Sequence, residues 1–198
     1  MRRRALLLVL LGLWAAPALP AADPGARPAM AELSVERRAD GTRQALVRNR
    51  LAGPIHVRVH DAARPREVVE ATLAAGETRA LGRFSGEGVP DLRLIAQPGA
   101  PQLLPPAQRG AYAFPLPPTS AWRLTQGFGG RASHRDAANF HALDFAATEG
   151  TPVMAARAGT VMQVVDAFTE GGMDEALKER VNVVRVLHLD GSMGLYAH

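Results

Sequence analysis

Two histidines and an aspartate in one short polar stretch are the residues of this chain best suited to chemistry. His134, His141 and Asp144 lie within residues 133–145, and His198 is the last residue of the sequence. Imidazole and carboxylate groups are ligands of mononuclear catalytic zinc sites, which use three protein ligands and keep one position for water. Taken alone, the same residues also fit a plainer interpretation, in which Asp144 caps a turn or pairs with an arginine and no metal binds.

The partner of Asp144 can be chosen on geometry. Asp144 lies between two apolar residues, which indicates a strand on which its side chain points to one face. A carboxylate buried there would need a cation as partner. His141 lies three residues earlier, and an odd offset on an extended strand places the side chains on opposite faces. His134 precedes the polar segment 135–139, which could fold back toward Asp144, so we predict His134 as the ligand and His141 as the alternative.

Short strands must position these residues. The pattern of the second half predicts antiparallel β structure with almost no helix, and Asp190-Gly191 predicts a turn between the last two strands. The loop after the first strand consists of Gly127, Phe128, Gly129 and Gly130, and its glycines permit backbone shapes that other residues avoid. The predicted strands of this half are residues 122–126, 151–156, 159–165, 181–188 and 193–198.

The first half of the chain also predicts strands. Ile55, Val57 and Val59 alternate with polar residues, and Asp40-Gly41 is typical of a hairpin turn. Several short strands at this spacing indicate a small β-sandwich over residues 23–98. A proline-rich linker is predicted at 99–120, and a second, mainly β domain at 121–198. His56 and His60 lie on the solvent face of their strand and are interpreted as surface residues.

The start of the chain predicts export. Three arginines at positions 2–4 precede an apolar run and then small residues, the pattern of a secretory signal peptide over 1–22. We therefore expect a periplasmic or secreted protein with no stable membrane span after cleavage. The chain has no cysteine, which excludes disulfides, thiolate zinc sites and lipidated cysteine, so a metal must be held by histidine and carboxylate. The net charge of +4 falls toward neutrality once the leader is removed, and we expect no nucleic-acid partner.

The ordered motifs of residues 112–198 resemble the lysostaphin-type (LytM-like) zinc metallopeptidases. These motifs are Gln126-Gly-Phe-Gly-Gly, Ser133-His134, Ala142-Leu-Asp-Phe, Gly150-Thr-Pro-Val, Ala158-Gly-Thr-Val, Asn182-Val-Val, Asp190-Gly and Tyr196-Ala-His. The resemblance covers under half of the chain. It implies a fold of the duplicated hybrid motif type and hydrolysis of the peptide cross-links of peptidoglycan.

The resemblance also implies roles for single residues. Asp144 corresponds to the family's aspartate ligand of Zn²⁺. The usual histidine position holds Phe140, and the chain is similar to the branch whose ligand lies upstream in a Ser-His pair, which points to His134. His141 then occupies a position that is usually aromatic. His198 corresponds to a histidine that assists the water and the tetrahedral intermediate, and the loop Gly127 to Gly130 would line the substrate groove.

One motif of that family has no counterpart in the sequence. The family's later His-x-His segment supplies a third ligand and a second catalytic histidine, but nothing follows His198. We therefore expect a fragment of a longer enzyme, poorly folded in its second half and inactive alone. The alternative functions are a non-catalytic LytM-like domain that binds or regulates cell-wall hydrolases, with envelope proteins as partners, and a carbohydrate- or envelope-binding β-protein without metal.

Overall fold

The computed structural model describes residues 27–62, 64–84, 91–101, 110–137, 139–172, 177 and 180–198, and these residues form a mainly β protein, as predicted. The predicted signal peptide lies outside the described residues. No helix among the described residues is long and apolar enough to cross a membrane. The strands are β1 (Ala31–Arg37), β2 (Arg43–Asn49), β3 (Ile55–Asp61), β4 (Arg64–Leu73), β5 (Thr78–Phe84), β6 (Leu92–Pro98), β7 (Trp122–Gln126), β8 (Asp144–Ala147), β9 (Thr160–Val165), β10 (Val183–Leu187) and β11 (Met193–Ala197).

Strands β1 to β6 form two three-stranded antiparallel sheets, with orders β1-β2-β5 and β4-β3-β6. The alternation in β3 has the predicted effect, since Ile55, Val57 and Val59 are buried. The hairpin predicted at Asp40-Gly41 joins β1 to β2, and Gly41 adopts a positive φ of 81° that suits glycine. The apolar faces of these strands build the largest core cluster of the described residues.

That core also takes residues from the second half of the chain. Met162 of β9 is 2% exposed and belongs to the same cluster as Ile55 and Leu73. Partly buried Leu187 and Met193, from β10 and β11, pack against the cluster as well. The Met162 carbonyl accepts a hydrogen bond of 2.9 Å from the backbone N–H of Ala52. The sheet β11-β10-β9 is therefore joined to the N-terminal sheets by apolar packing and by backbone bonding.

The predicted strand over residues 151–156 is wrong, because this segment has no strand pairing. It lies instead beside the proline-rich segment: Ala113 N–H donates to the Ala156 carbonyl at 2.7 Å, and Met154 N–H donates to the Pro115 carbonyl at 2.8 Å. Prolines on both sides lack an N–H donor, so a continuous ladder cannot form. Residues 110–118 of the predicted linker thus contact the second half directly.

The turn predicted at Asp190-Gly191 connects β10 to β11. The Asp190 carboxylate in this turn is surrounded by hydrogen-bond donors, one of them an arginine. Asp190 accepts hydrogen bonds from the Ser192 hydroxyl at 2.6 Å and the Ser192 N–H at 3.0 Å, and pairs with Arg157. Arg157 lies over the ring of Tyr112, whose hydroxyl contacts Ser192 Oγ at 2.7 Å. The hydrogen bonds from Ser192, followed by those from Arg157, hold the pKa of Asp190 well below its usual range.

This low pKa predicts an acid-sensitive contribution to stability. A carboxylate with a depressed folded-state pKa stabilises the fold above its unfolded pKa of about 4, and that stability is lost as the pH falls toward the folded value. Lowering the pH from about 4 to about 2 should therefore reduce the Tm of the wild type more than that of Asp190→Asn. Asp166→Asn, at an exposed position, is the control and should follow the wild type. Equal acid sensitivity in all three proteins would contradict the prediction.

Candidate metal centre

The candidate site lies on a two-stranded ribbon made by β7 and β8. Gln126, at the end of β7, is opposite Asp144, at the start of β8. Their side chains meet on one face, where Gln126 Nε2 donates to Asp144 Oδ2 at 2.9 Å. The other face carries Phe145 and Trp122, which pack with Phe114 of the proline-rich segment at ring distances of 4.5 to 5.7 Å. The ribbon thus has an apolar side that anchors it and a polar side that presents the carboxylate.

His134 is the buried member of the site. Its residue exposure is 3%, and its Nδ1 lies 2.9 Å from the carbonyl oxygen of Gly127. A carbonyl can only accept, so this contact places a proton on Nδ1. In the neutral imidazole the lone pair is then on Nε2, which lies 3.2 Å from Asp144 Oδ1. Asp144 is only partly buried, with 48% of its side chain exposed.

The contact between His134 and Asp144 brings two electron-rich atoms together. A neutral imidazole Nε2 and a carboxylate oxygen are both acceptors, so they need a shared proton or a cation between them. Zinc binds histidine nitrogen and carboxylate oxygen at about 2.0–2.2 Å in a tetrahedron, which sets two ligand atoms roughly 3.3 Å apart. The observed separation of 3.2 Å fits this requirement. The separation is thus compatible with a zinc ion between the two atoms and also with a proton shared by them, and with Nδ1 bonded to the Gly127 carbonyl, Nε2 is the nitrogen that faces Asp144.

The glycine loop after β7 fixes the position of His134 through two backbone carbonyl groups. Gly127 supplies the carbonyl that binds Nδ1, and the Gly130 carbonyl accepts from His134 N–H at 3.1 Å. Gly129 has a φ of 63°, which favours glycine. A Cβ atom at Gly130 would lie 2.1 Å from the Gln126 side chain, so a larger residue there would displace Gln126. Phe128 is 61% exposed at the tip of the loop.

The other predicted site residues lie elsewhere. The ring of His141 packs edge-on against Phe128 at 5.4 Å and Phe140 at 5.0 Å, so the structure brings His134 rather than His141 to Asp144. His198 follows β11, where its backbone exchanges two hydrogen bonds with Asn182. Within the described parts of the chain, no three His, Cys, Asp or Glu side chains form a group that could hold a metal.

Gln126 is the site residue that sequence reasoning did not assign. Its Nε2 also contacts Ser133 Oγ at 2.8 Å, and its Oε1 accepts from Ala132 N–H at 3.0 Å. One side chain thereby ties together the carboxylate and the segment that carries His134. The sequence places Gln126 as the last polar residue before the glycine loop. At that position the strand register sets it opposite Asp144, so its place at the end of β7 was the available signal.

Comparisons of the chain with family models, with curated proteins and with solved structures returned no match.

Proposed function

We propose that this protein is a zinc-dependent endopeptidase that cleaves peptide cross-links of peptidoglycan. The proposal rests on the sequence motifs described above, and one structural observation carries it. His134 Nε2 and Asp144 Oδ1 face each other at 3.2 Å, while the Gly127 carbonyl holds the imidazole in the tautomer that leaves Nε2 free to bind metal. Export through the predicted signal peptide would bring the enzyme to the bacterial cell envelope.

In this proposal each residue of the site has a defined role. His134 and Asp144 hold the zinc ion, and Gln126 orients the carboxylate through its 2.9 Å hydrogen bond to Oδ2. A zinc ion held by these residues would supply an activated water and would polarise the scissile carbonyl. The half-buried glycines of the loop Gly127 to Gly130 let an extended peptide approach closely, and the role in proton transfer that the resemblance implies for His198 has no support from its place after β11. The third ligand is not found near this pair among the described residues.

Metal removal tests the activity directly. Full-length protein should release soluble peptides from purified peptidoglycan, and 1,10-phenanthroline should reduce the initial rate at least about tenfold, because the activated water depends on zinc. Adding Zn²⁺ back should restore the rate, and adding Mg²⁺ should not, since Mg²⁺ prefers six oxygen ligands. Hydrolysis that is unaffected by the chelator would contradict the zinc mechanism. Absence of hydrolysis together with absence of bound zinc would contradict the proposed function.

A non-catalytic LytM-like regulator or binder of cell-wall hydrolases is the second candidate. The observation in its favour is that no third potential ligand joins His134 and Asp144 in the described part of the chain. Such a protein would act through its surface and would not need the metal. Asp144→Ala in the full-length protein separates the candidates, because a regulator retains its envelope function and an enzyme loses both metal and hydrolysis.

A further inference from the structure

Two reverse turns beside the candidate metal pair present three rings to solvent. The turn at residues 127–130 is closed by a backbone hydrogen bond of 3.1 Å from its last residue to its first, and it carries Phe128. The turn at residues 139–142 is closed in the same way at 2.9 Å, with Phe140 and His141 at its two central positions. All three side chains are exposed, Phe128 by 61% and Phe140 by 45%.

The two turns are bonded to each other. Gly129 N–H donates to the Phe140 carbonyl at 2.8 Å, and the Phe140 ring lies 3.1 Å from the position that a Cβ atom on Gly129 would take. The His141 ring contacts both phenylalanine rings edge-on, with centroids 5.4 Å from Phe128 and 5.0 Å from Phe140. Backbone bonding and edge-to-face packing therefore hold Phe128, Phe140 and His141 in one arrangement, which we call the ring cluster.

The ring cluster adjoins the candidate metal pair through both turns. Gly127, the first residue of one turn, supplies the carbonyl that lies 2.9 Å from His134 Nδ1. Asp144 follows the other turn by two residues and lies 3.2 Å from His134 Nε2. Each turn is therefore directly connected to one member of the pair, so a polymer bound at the pair has its neighbouring unit beside the ring cluster.

The ring cluster and its border have the chemistry that a sugar requires. A pyranose ring has C–H groups on its faces and hydroxyl groups around its rim, so an aromatic face with polar side chains beside it is complementary to it. The polar side is Asp136, whose carboxylate accepts from the Asn139 backbone N–H at 2.9 Å and from Asn139 Nδ2 at 2.9 and 3.1 Å, directly before Phe140. A carboxylate fixed in this way keeps lone pairs that can accept from sugar hydroxyl groups.

We propose that the ring cluster binds a pyranose ring of a glycan chain, next to the bond on which the metal pair acts. The inference deepens the proposed function and rests on it for the kind of polymer, because glycan strands carry the cross-link peptides of peptidoglycan. The face of Phe128 or Phe140 stacks on the C–H face of the sugar, and Asp136 accepts from its hydroxyl groups. The enzyme then cleaves cross-links attached to glycan in preference to free peptides.

Isothermal titration of the full-length protein with chitotetraose, a neutral chain of N-acetylglucosamine units, tests the ring cluster. The wild type should bind this tetrasaccharide saturably. Phe128→Leu and Phe140→Leu keep an apolar side chain but lose the aromatic face, and each should weaken binding about fivefold. Phe128→Trp keeps an aromatic face and should bind at least as tightly as the wild type. Leu189→Ala, which changes a fully exposed apolar residue between β10 and β11, is the matched control and should leave binding unchanged.

Sugar binding and peptide hydrolysis are measured separately, so the two proposals fail in different ways. Phe140→Leu should slow hydrolysis of intact peptidoglycan more than hydrolysis of isolated cross-link peptides. Tetrasaccharide binding without zinc-dependent hydrolysis would support the sugar site and contradict the endopeptidase. Hydrolysis without tetrasaccharide binding, binding unchanged in both leucine variants, or binding of the neutral peptide acetyl-trialanine amide in place of the sugar would overturn the sugar site.

Discussion

Replacing Asp144 with asparagine is expected to lower the zinc affinity of the full-length protein by more than about 100-fold. Groups that only orient a ligand change metal affinity by about 10- to 100-fold, so loss of a ligand itself should exceed that range. The asparagine keeps the shape of the side chain and can still bond with Gln126, but it removes the negative charge that faces His134 Nε2 at 3.2 Å. Zinc titration against a competing chelator measures the effect, and hydrolysis of peptidoglycan should fall with it.

Two further variants show whether the loss of zinc affinity is specific to the carboxylate of Asp144. Asp91→Asn removes an exposed carboxylate that pairs with Arg93 on the N-terminal sheets, and it should leave zinc affinity unchanged. Gln126→Ala removes the amide that holds Asp144 Oδ2 and should weaken zinc about tenfold, with the ligand itself intact. Zinc binding that survives Asp144→Asn would show that the pair with His134 is not a metal site.

Replacing Met162 with alanine is expected to destabilise the whole protein by about 2–5 kcal/mol, the cost of deleting a large apolar side chain from a packed core. Met162 is 2% exposed and belongs to the cluster formed by the N-terminal sheets, although it comes from β9. The loss should therefore affect both halves. Chemical unfolding followed by far-UV circular dichroism reports the whole molecule, and the fluorescence of Trp122 reports the ribbon.

Met154→Ala is the matched control, because Met154 is 42% exposed and its N–H bond to the Pro115 carbonyl does not involve the side chain. It should change the free energy of unfolding by no more than about 0.5 kcal/mol. For Met162→Ala, the two probes should shift to the same lower denaturant concentration. A shift in circular dichroism without a shift in Trp122 fluorescence would show that the halves unfold independently.

The sequence was most informative where a local pattern decides the structure. The alternation of Ile55, Val57 and Val59 predicts the buried face of β3 because side chains on a strand alternate between its two faces. The turns at Asp40-Gly41 and Asp190-Gly191 are confirmed for a similar reason, since glycine accepts the positive φ they require. The strand predicted over 151–156 was wrong because the segment lies beside the proline-rich residues 113–115, and prolines on both sides interrupt a continuous ladder.

The candidate site shows where such reasoning stops. The preference for His134 over His141 came from a loop that could fold back, and the structure places His134 beside Asp144. Its role as a metal ligand stays a prediction. The exposure of Asp144 and the position of Gln126 depend on strand register and on the ribbon having two strands among the described residues. These are long-range properties that the residues near Asp144 do not specify.

The insertion of Met162 into the N-terminal core has a consequence for how the chain acquires its structure. Ile55 and Met162 are more than 100 positions apart in sequence but belong to one core cluster, so forming that cluster closes a very long loop and costs more chain entropy than forming the local hairpins. The N-terminal sheets are synthesised first and can serve as the surface on which β9, β10 and β11 assemble. A recombinant piece containing only residues 121–198 would leave Met162, Leu187 and Met193 exposed to water, and it should aggregate during expression where the longer chain does not.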